Sequence, residues 1–317
     1  MKYATRLPHS LLRDFVGIMG LAAGTMVWLH LRTPRPAGPR LEHTPVHRGG
    51  SGSALLLVHG VTASWRVWSP VLPHLECHHD VLAPTLLGHP GARPFDSSTK
   101  PSLAALVDGV EAELDRAGLD RVHVVGNSLG GWVAIELARR GRARSLVLIS
   151  PGGTTRSQWR LELTSSIIRL SIQRMARLTA FADVIASRPL LRWPMLYTQV
   201  AHPSRVSPEA VAVSIRGAAS MPGVVELLKV LPHEEQVAPL PADRDYPIRL
   251  IWPQRDRVLP YQHFGASMVE RLPGAELVRI DDAGHVPMSD DPAGVARLIL
   301  EVTRAVDATT SPNETVG

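Results

Sequence analysis

Residues 121–140 read RVHVVGNSLGGWVAIELARR. Arg121–Val125 is short and rich in valine, as a strand buried on both faces of a sheet requires, and Leu129–Arg139 has the length and composition of a helix. Between them lies Gly126-Asn127-Ser128-Leu129-Gly130-Gly131, a G-x-S-x-G pattern on a strand-to-helix turn. Glycines two residues before and two after the serine let the two backbones pass without collision. Such a turn lifts the Ser128 hydroxyl above the sheet. It also aims the Leu129 amide, at a helix N-terminus, at the place where an oxyanion would form. Ser128 is the candidate nucleophile, set against two plainer readings: a glycine-rich phosphate cradle or a simple tight turn.

Outward from this turn, short apolar runs recur at Ala54–His59, Asp80–Ala83, Ser145–Ile149, Ile248–Trp252 and Glu276–Ile280. Helix-length segments separate them at Ser64–Leu75, Ser102–Ala117, Tyr261–Leu272 and Pro292–Val306. Regular strand–helix alternation predicts a doubly wound, mostly parallel α/β sheet. Only one poor candidate strand, around Glu42–His47, precedes Ala54. The rhythm breaks once, from 152 to 246, where Leu161–Phe181, Pro208–Ala219 and Val224–Leu231 read as helices separated by turns at Pro189, Pro194, Pro203 and Pro222. A helical insertion between two strands is a candidate lid. Its apolar positions Ile167, Ile168, Leu170, Ile172, Met175, Leu178 and Phe181 are expected to form mainly lid core. The organisation predicted is a core of 41–151 and 247–306, a lid of 152–246, an N-terminal segment of 1–40 and a flexible tail of 307–317.

A hydroxyl nucleophile needs a base, and the base an orienting acid. His285, in DAGHVP after the last strand, and Asp256, in WPQRDRVLP after Ile248–Trp252, both leave the sheet at the edge that carries Ser128. Asp281 and Asp282 lie too near His285 in sequence to approach its ring from the side away from Ser128. The order Ser128, Asp256, His285 is a known arrangement of such a triad. A second oxyanion donor is expected from the loop after Ala54–His59, at the amide of Val61. His59 reads as a structural histidine rather than a second base. Trp65 and Trp68 read as core or pocket wall, with Trp65 a candidate substrate contact.

Together, His59-Gly60, the GNSLGG turn, WPQRDRVLP and DAGHVP resemble the α/β-hydrolase superfamily over residues 41–306. Thr85-Leu86-Leu87-Gly88-His89-Pro90-Gly91 is similar to the family's loop after its fourth strand, with Thr85 in place of the usual aspartate and Pro90 interrupting. The resemblance implies acyl transfer to water without metal or cofactor: Ser128 attacks a carbonyl, His285 relays the proton and Asp256 holds the imidazole. The expected partner is a small, hydrophobic acyl substrate, an ester first. Carbon–carbon bond hydrolases, thioesterases and haloperoxidase-like members share the fold, as do non-catalytic ligand binders. A serine nucleophile argues against an epoxide hydrolase or dehalogenase.

The chain's 317 residues, 44% hydrophobic and 20% charged, exclude a disordered protein. A mean hydropathy of +0.03 excludes a multi-spanning membrane protein. The single cysteine, Cys77, rules out an internal disulfide framework and an all-cysteine zinc site. His74, Cys77, His78, His79 and Asp80 form a dense polar cluster, but adjacent side chains diverge and no metal site is expected. The net charge of +5 is spread among apolar stretches with no basic run interleaved with aromatics, which argues against nucleic acid and toward an anionic membrane surface. Phe15–Leu31 offers seventeen residues without a formal charge, a helix of about 26 Å. This run is read as an anchor, a cleaved signal or a docked helix, and favours membrane association over a cytoplasmic or secreted protein.

Overall fold

The computed structural model describes residues 44–96 and 100–310. The apolar run Phe15–Leu31 lies outside the described residues. Seven strands form one sheet: β1 (Val46–Gly50), β2 (Ser53–Val58), β3 (His79–Pro84), β4 (Val122–Asn127), β5 (Ala143–Ile149), β6 (Ile248–Pro253) and β7 (Glu276–Ile280). Their order is β1-β3-β2-β4-β5-β6-β7, parallel throughout except for β1, which runs antiparallel to β3 from Val46 opposite Pro84 to Gly50 opposite Asp80. The first strand is thus displaced from the expected Glu42–His47. It also crosses over its sequence neighbour β2 to reach β3. Gly50 and Gly52, at φ 83° and 119°, make that crossing, and a Cβ on Gly50 would sit 2.2 Å from the His79 carbonyl oxygen.

Alternation along the central strands divides the core in two. Leu56, Val58, Val124, Leu146, Leu148 and Leu250 face one side, under helices α2 (Leu103–Arg116) and α3 (Leu129–Arg139). Leu55, Leu57, Val125, Val147, Ile149 and Ile251 face the other, where Val295 and Ile299 of the final helix cover them. The expected helix Ser64–Leu75 is instead a 3-10 turn, Trp65–Trp68, followed by the single turn α1 (Leu72–Leu75). Pro70 and Pro73, which lack amide protons, interrupt it.

Between β5 and β6 stand five helices: α4 (Gln158–Arg177), α5 (Ala182–Ser187), α6 (Pro189–Leu196), α7 (Pro208–Gly217) and α8 (Pro222–Val230). Prolines open four of the lid's helical segments, at 189, 203, 208 and 222, where a missing amide costs no hydrogen bond. Pro194, expected at a turn, sits inside α6. The lid core also differs from expectation. Of the seven apolar positions named, only Ile172 is buried, Ile168 and Met175 are half-buried, and Ile167, Leu170, Leu178 and Phe181 are exposed. The lid's own small core comes instead from Ala182, Ile185, Val211, Ala212 and Ile215, where α5 packs on α7.

After the lid come α9 (Gly265–Arg271), α10 (Pro287–Asp290) and α11 (Pro292–Thr310). The ring of Tyr261 lies against Gly265, and α9 begins there rather than at 261. Helix α11 runs past Val306, where a flexible tail was expected. Asp307 fixes that turn by accepting from Ser53 Oγ at 2.6 Å, His123 Nε2 at 3.0 Å and Arg144 at 3.0 Å.

Candidate active site

Strand β4 ends at Asn127, and Ser128 follows with φ 56° and ψ −119°, a conformation that a β-carbon disfavours and that persists only where the surroundings hold it. The neighbouring glycines show what holds it. A Cβ on Gly126 would lie 2.3 Å from the Gly130 oxygen, and one on Gly130 would lie 2.2 Å from the Val58 oxygen. Only glycine lets α3 start this close to β4 and β2. The Ser128 carbonyl accepts from Gly131 and Gly152 at 3.0 and 2.9 Å, fastening the turn to the entrance of the lid.

Because β4, β5, β6 and β7 are adjacent and parallel, the loops leaving their C-terminal ends converge on one edge. Asp256 and His285 stand on two of these loops. His285 Nδ1 donates to Asp256 Oδ2 at 2.8 Å, with both residues buried. The other carboxylate oxygen of Asp256 accepts from the amides of Val258 and Leu259 at 2.9 and 2.8 Å. With Nδ1 carrying its proton toward Asp256, Nε2 is the nitrogen left to accept from a nucleophile. The His285 loop is tied to the serine turn through Asn127, whose Nδ2 donates to the carbonyls of Ile149 and His285, each at 3.1 Å.

The loop after β2 completes the surroundings. A Cβ on Gly60 would meet Ser128 Cβ at 3.1 Å, so this loop passes directly beside the serine. The amides of Val61 and Leu129 have no hydrogen-bond partner among the described residues. His59 has both ring nitrogens committed: Nδ1 donates to the Gly60 oxygen at 2.7 Å, and Nε2 accepts from the Leu86 amide at 2.9 Å. Burial, with the neighbouring His89 adding to it, pushes the His59 pKa down to about 3. It is a neutral strut between two loops, with no lone pair to spare for general base work. His89 is likewise pushed down to about 4 by burial.

Trp65 is not brought to this centre by its contacts. Its indole nitrogen donates to Thr44 Oγ1 at 2.8 Å, its ring stacks on His47 at 4.7 Å, and Arg66 lies over its face. The polar cluster around Cys77 separates in space. His79 goes to Ser53 and Thr303, His78 to Arg304, Asp80 to Arg48, and the Cys77 thiol to the Pro73 carbonyl.

One residue the sequence reading missed is Asp290, at the end of α10. Its buried carboxylate accepts from Gly284, the neighbour of His285, at 2.8 Å, and from Ala201 and His202 of the lid at 2.9 and 2.8 Å. The Val286 amide adds a bond to the Gln199 oxygen at 2.8 Å. The lid's central loop and the histidine loop are therefore one hydrogen-bonded unit. No sequence signal marks Asp290, which sits in an ordinary acidic helix end.

The sequence profile of the alpha/beta hydrolase family matches residues 55–298. An epoxide hydrolase of Mycobacterium tuberculosis is 36% identical over 209 residues, 62% of this chain and 93% of the relative. A pimeloyl-[acyl-carrier protein] methyl ester esterase of Aromatoleum aromaticum is 32% identical over 268 residues, 79% of this chain and 98% of the relative. Among solved structures, a thermophilic esterase from Thermogutta terrifontis superposes with a TM-score of 0.63 over 85% of this chain and 99% of the other. At 22% identity, that last likeness speaks for the fold alone.

Proposed function

We propose that this chain, which belongs to the alpha/beta hydrolase family, is a serine hydrolase that cleaves an ester or related acyl bond of a small hydrophobic substrate. The observation that carries the reading is the 2.8 Å bond from His285 Nδ1 to Asp256, on a loop that Asn127 ties to the serine turn. Ser128 Oγ attacks the substrate carbonyl while His285 Nε2 takes its proton. The tetrahedral oxyanion accepts hydrogen bonds from the amides of Val61 and Leu129. Each such donor contributes about 10²–10³ in rate. His285 then returns the proton to the leaving group, an acyl-Ser128 forms, and water activated by the same imidazole releases the acid.

An ester is favoured over an epoxide because epoxide opening would call for a carboxylate nucleophile, and Ser128 stands at the turn. The ester esterase relative, 32% identical across most of both chains, supports the same choice. The test is intact-mass measurement after exposure to a small fluorophosphonate, which reports an activated serine whatever the natural substrate. One phosphonyl adduct per chain is expected, absent in Ser128→Ala. Labelling that survives the substitution, or none in the wild type, would overturn the assignment.

A further inference from the structure

We propose that the outer face of the lid is a docking surface for an anionic lipid bilayer. Among the described residues, nine of the twelve large hydrophobic side chains left exposed lie between Trp159 and Tyr197. On α4, Trp159, Leu163, Ile167 and Leu170 are 58, 50, 55 and 45% exposed. At about 100° per residue these four fall within an arc of about 80°. The buried residues of the helix, Ser165 and Ile172, lie on the opposite side. Helix α4 is therefore apolar on its outer face as well as its inner one, which the packing of a water-soluble lid does not require. A second apolar turn follows on α6, where Leu190 is 89% and Trp193 52% exposed. Exposed patches of this kind mark interaction sites.

Charge selects the occupant. Residues 156–197 contain seven arginines against Glu162 and Asp183, a balance of +5 that equals the net charge of the entire chain. Arg156 pairs with Glu270, while Arg160, Arg169, Arg174, Arg177, Arg188 and Arg192 have no carboxylate partner among the described residues. An apolar stripe with tryptophan, bordered by arginines that lack a carboxylate partner, matches the layering of a bilayer surface: acyl chain, interface, anionic headgroup. A second copy of the chain would set +5 against +5. The chain's own apolar run at 15–31 is flanked by Lys2, Arg6, Arg13, Arg32, Arg35 and Arg40 against Asp14 alone, and would do the same.

The test uses the full chain with Cys77→Ser and Leu163→Cys, labelled at 163 with an environment-sensitive fluorophore. Phosphatidylcholine vesicles containing about 30 mol% phosphatidylglycerol should shift the label's emission to the blue, and brominated acyl chains should quench it. A label at Leu277→Cys, exposed on β7, should not respond. Arg174→Glu with Arg177→Glu should weaken partition onto the anionic vesicles by about tenfold or more, leaving hydrolysis of a soluble ester unchanged. A label at 163 that stays unmoved while the chain floats with vesicles would overturn the proposal, since another segment then binds. A label already shielded without lipid would do so too, because a segment or a second copy then covers the stripe. Equal response to vesicles of phosphatidylcholine alone would remove the role given to the arginines.

Discussion

Replacing Asp256 by asparagine exchanges one oxygen for an NH₂ group and should remove nearly all turnover. In the native site Oδ1 accepts from the Val258 and Leu259 amides at 2.9 and 2.8 Å, and Oδ2 faces His285 Nδ1 at 2.8 Å. The substituted side chain keeps a single carbonyl oxygen. The two amides cannot turn away, so that oxygen must stay with them and the NH₂ must face the imidazole. Nδ1 then has to accept, which moves the ring proton to Nε2, the nitrogen proposed as the base for Ser128. The loop keeps its hydrogen bonds, so the thermal transition should stay within a few degrees of wild type. The site loses its working tautomer, for which a loss of about 10³–10⁴ in kcat, about 4–5.5 kcal/mol of barrier, is expected. Hydrolysis of a p-nitrophenyl ester gives kcat/KM, and the rate of fluorophosphonate labelling reports the nucleophile independently of substrate fit. A loss smaller than tenfold in both, in a variant that melts like wild type, would refute the role of Asp256 and with it the tautomer argument.

Asp290→Ala leaves the amides of Gly284, Ala201 and His202 without their acceptor, and at about 1–3 kcal/mol for each group that water does not reach, the melting temperature should fall clearly. Limited proteolysis should cut the variant first near 199–202, and an unchanged melting curve would dissolve the latch. Acid should destabilise the fold through His59 and His89. Both are neutral in the native state, with pKa values pushed down to about 3 and about 4, whereas the unfolded chain takes up these protons near pH 6.5. Their contribution is present above pH 6.5 and is lost as pH falls toward 4. The loss should amount to a few kcal/mol from the pair by pH 4.5, read as a falling urea midpoint that His89→Gln makes shallower.

The sheet was legible because its central strands are buried on both faces and so appear in the sequence as continuous apolar runs. β2, β4, β5 and β6 fall within three residues of the bounds read from composition alone. The edge was not legible. β1 reads Val-His-Arg-Gly-Gly, with no apolar run and no alternation that would set its register, and its place beside β3 is fixed by Arg48 meeting Asp80 and by two left-handed glycines. The serine turn was legible for a different reason. A Cβ on Gly126 or Gly130 would fall 2.3 or 2.2 Å from a backbone oxygen, so the glycines themselves record the geometry. Asp256 and His285 followed from their positions at strand ends. Asp290 left no such trace, because a buried carboxylate that accepts three amides looks in sequence like any acid at the end of a helix.

The lid marks where sequence periodicity stops being informative. A helix with one apolar stripe announces which side is inside, since the stripe must be buried. Helix α4 has apolar residues on both sides, Ile168 and Ile172 within and Ile167 and Leu170 without, and the pattern alone reads all of them as core. The structure separates them by what each side meets: Ile172 joins the main core, and the outer residues meet solvent among arginines. An outer face of this kind is what the proposed bilayer contact accounts for. The same helix belongs to the lid that Asp290 bonds to the histidine loop. Anything that seats the outer face therefore acts on a body hydrogen-bonded to the His285 loop.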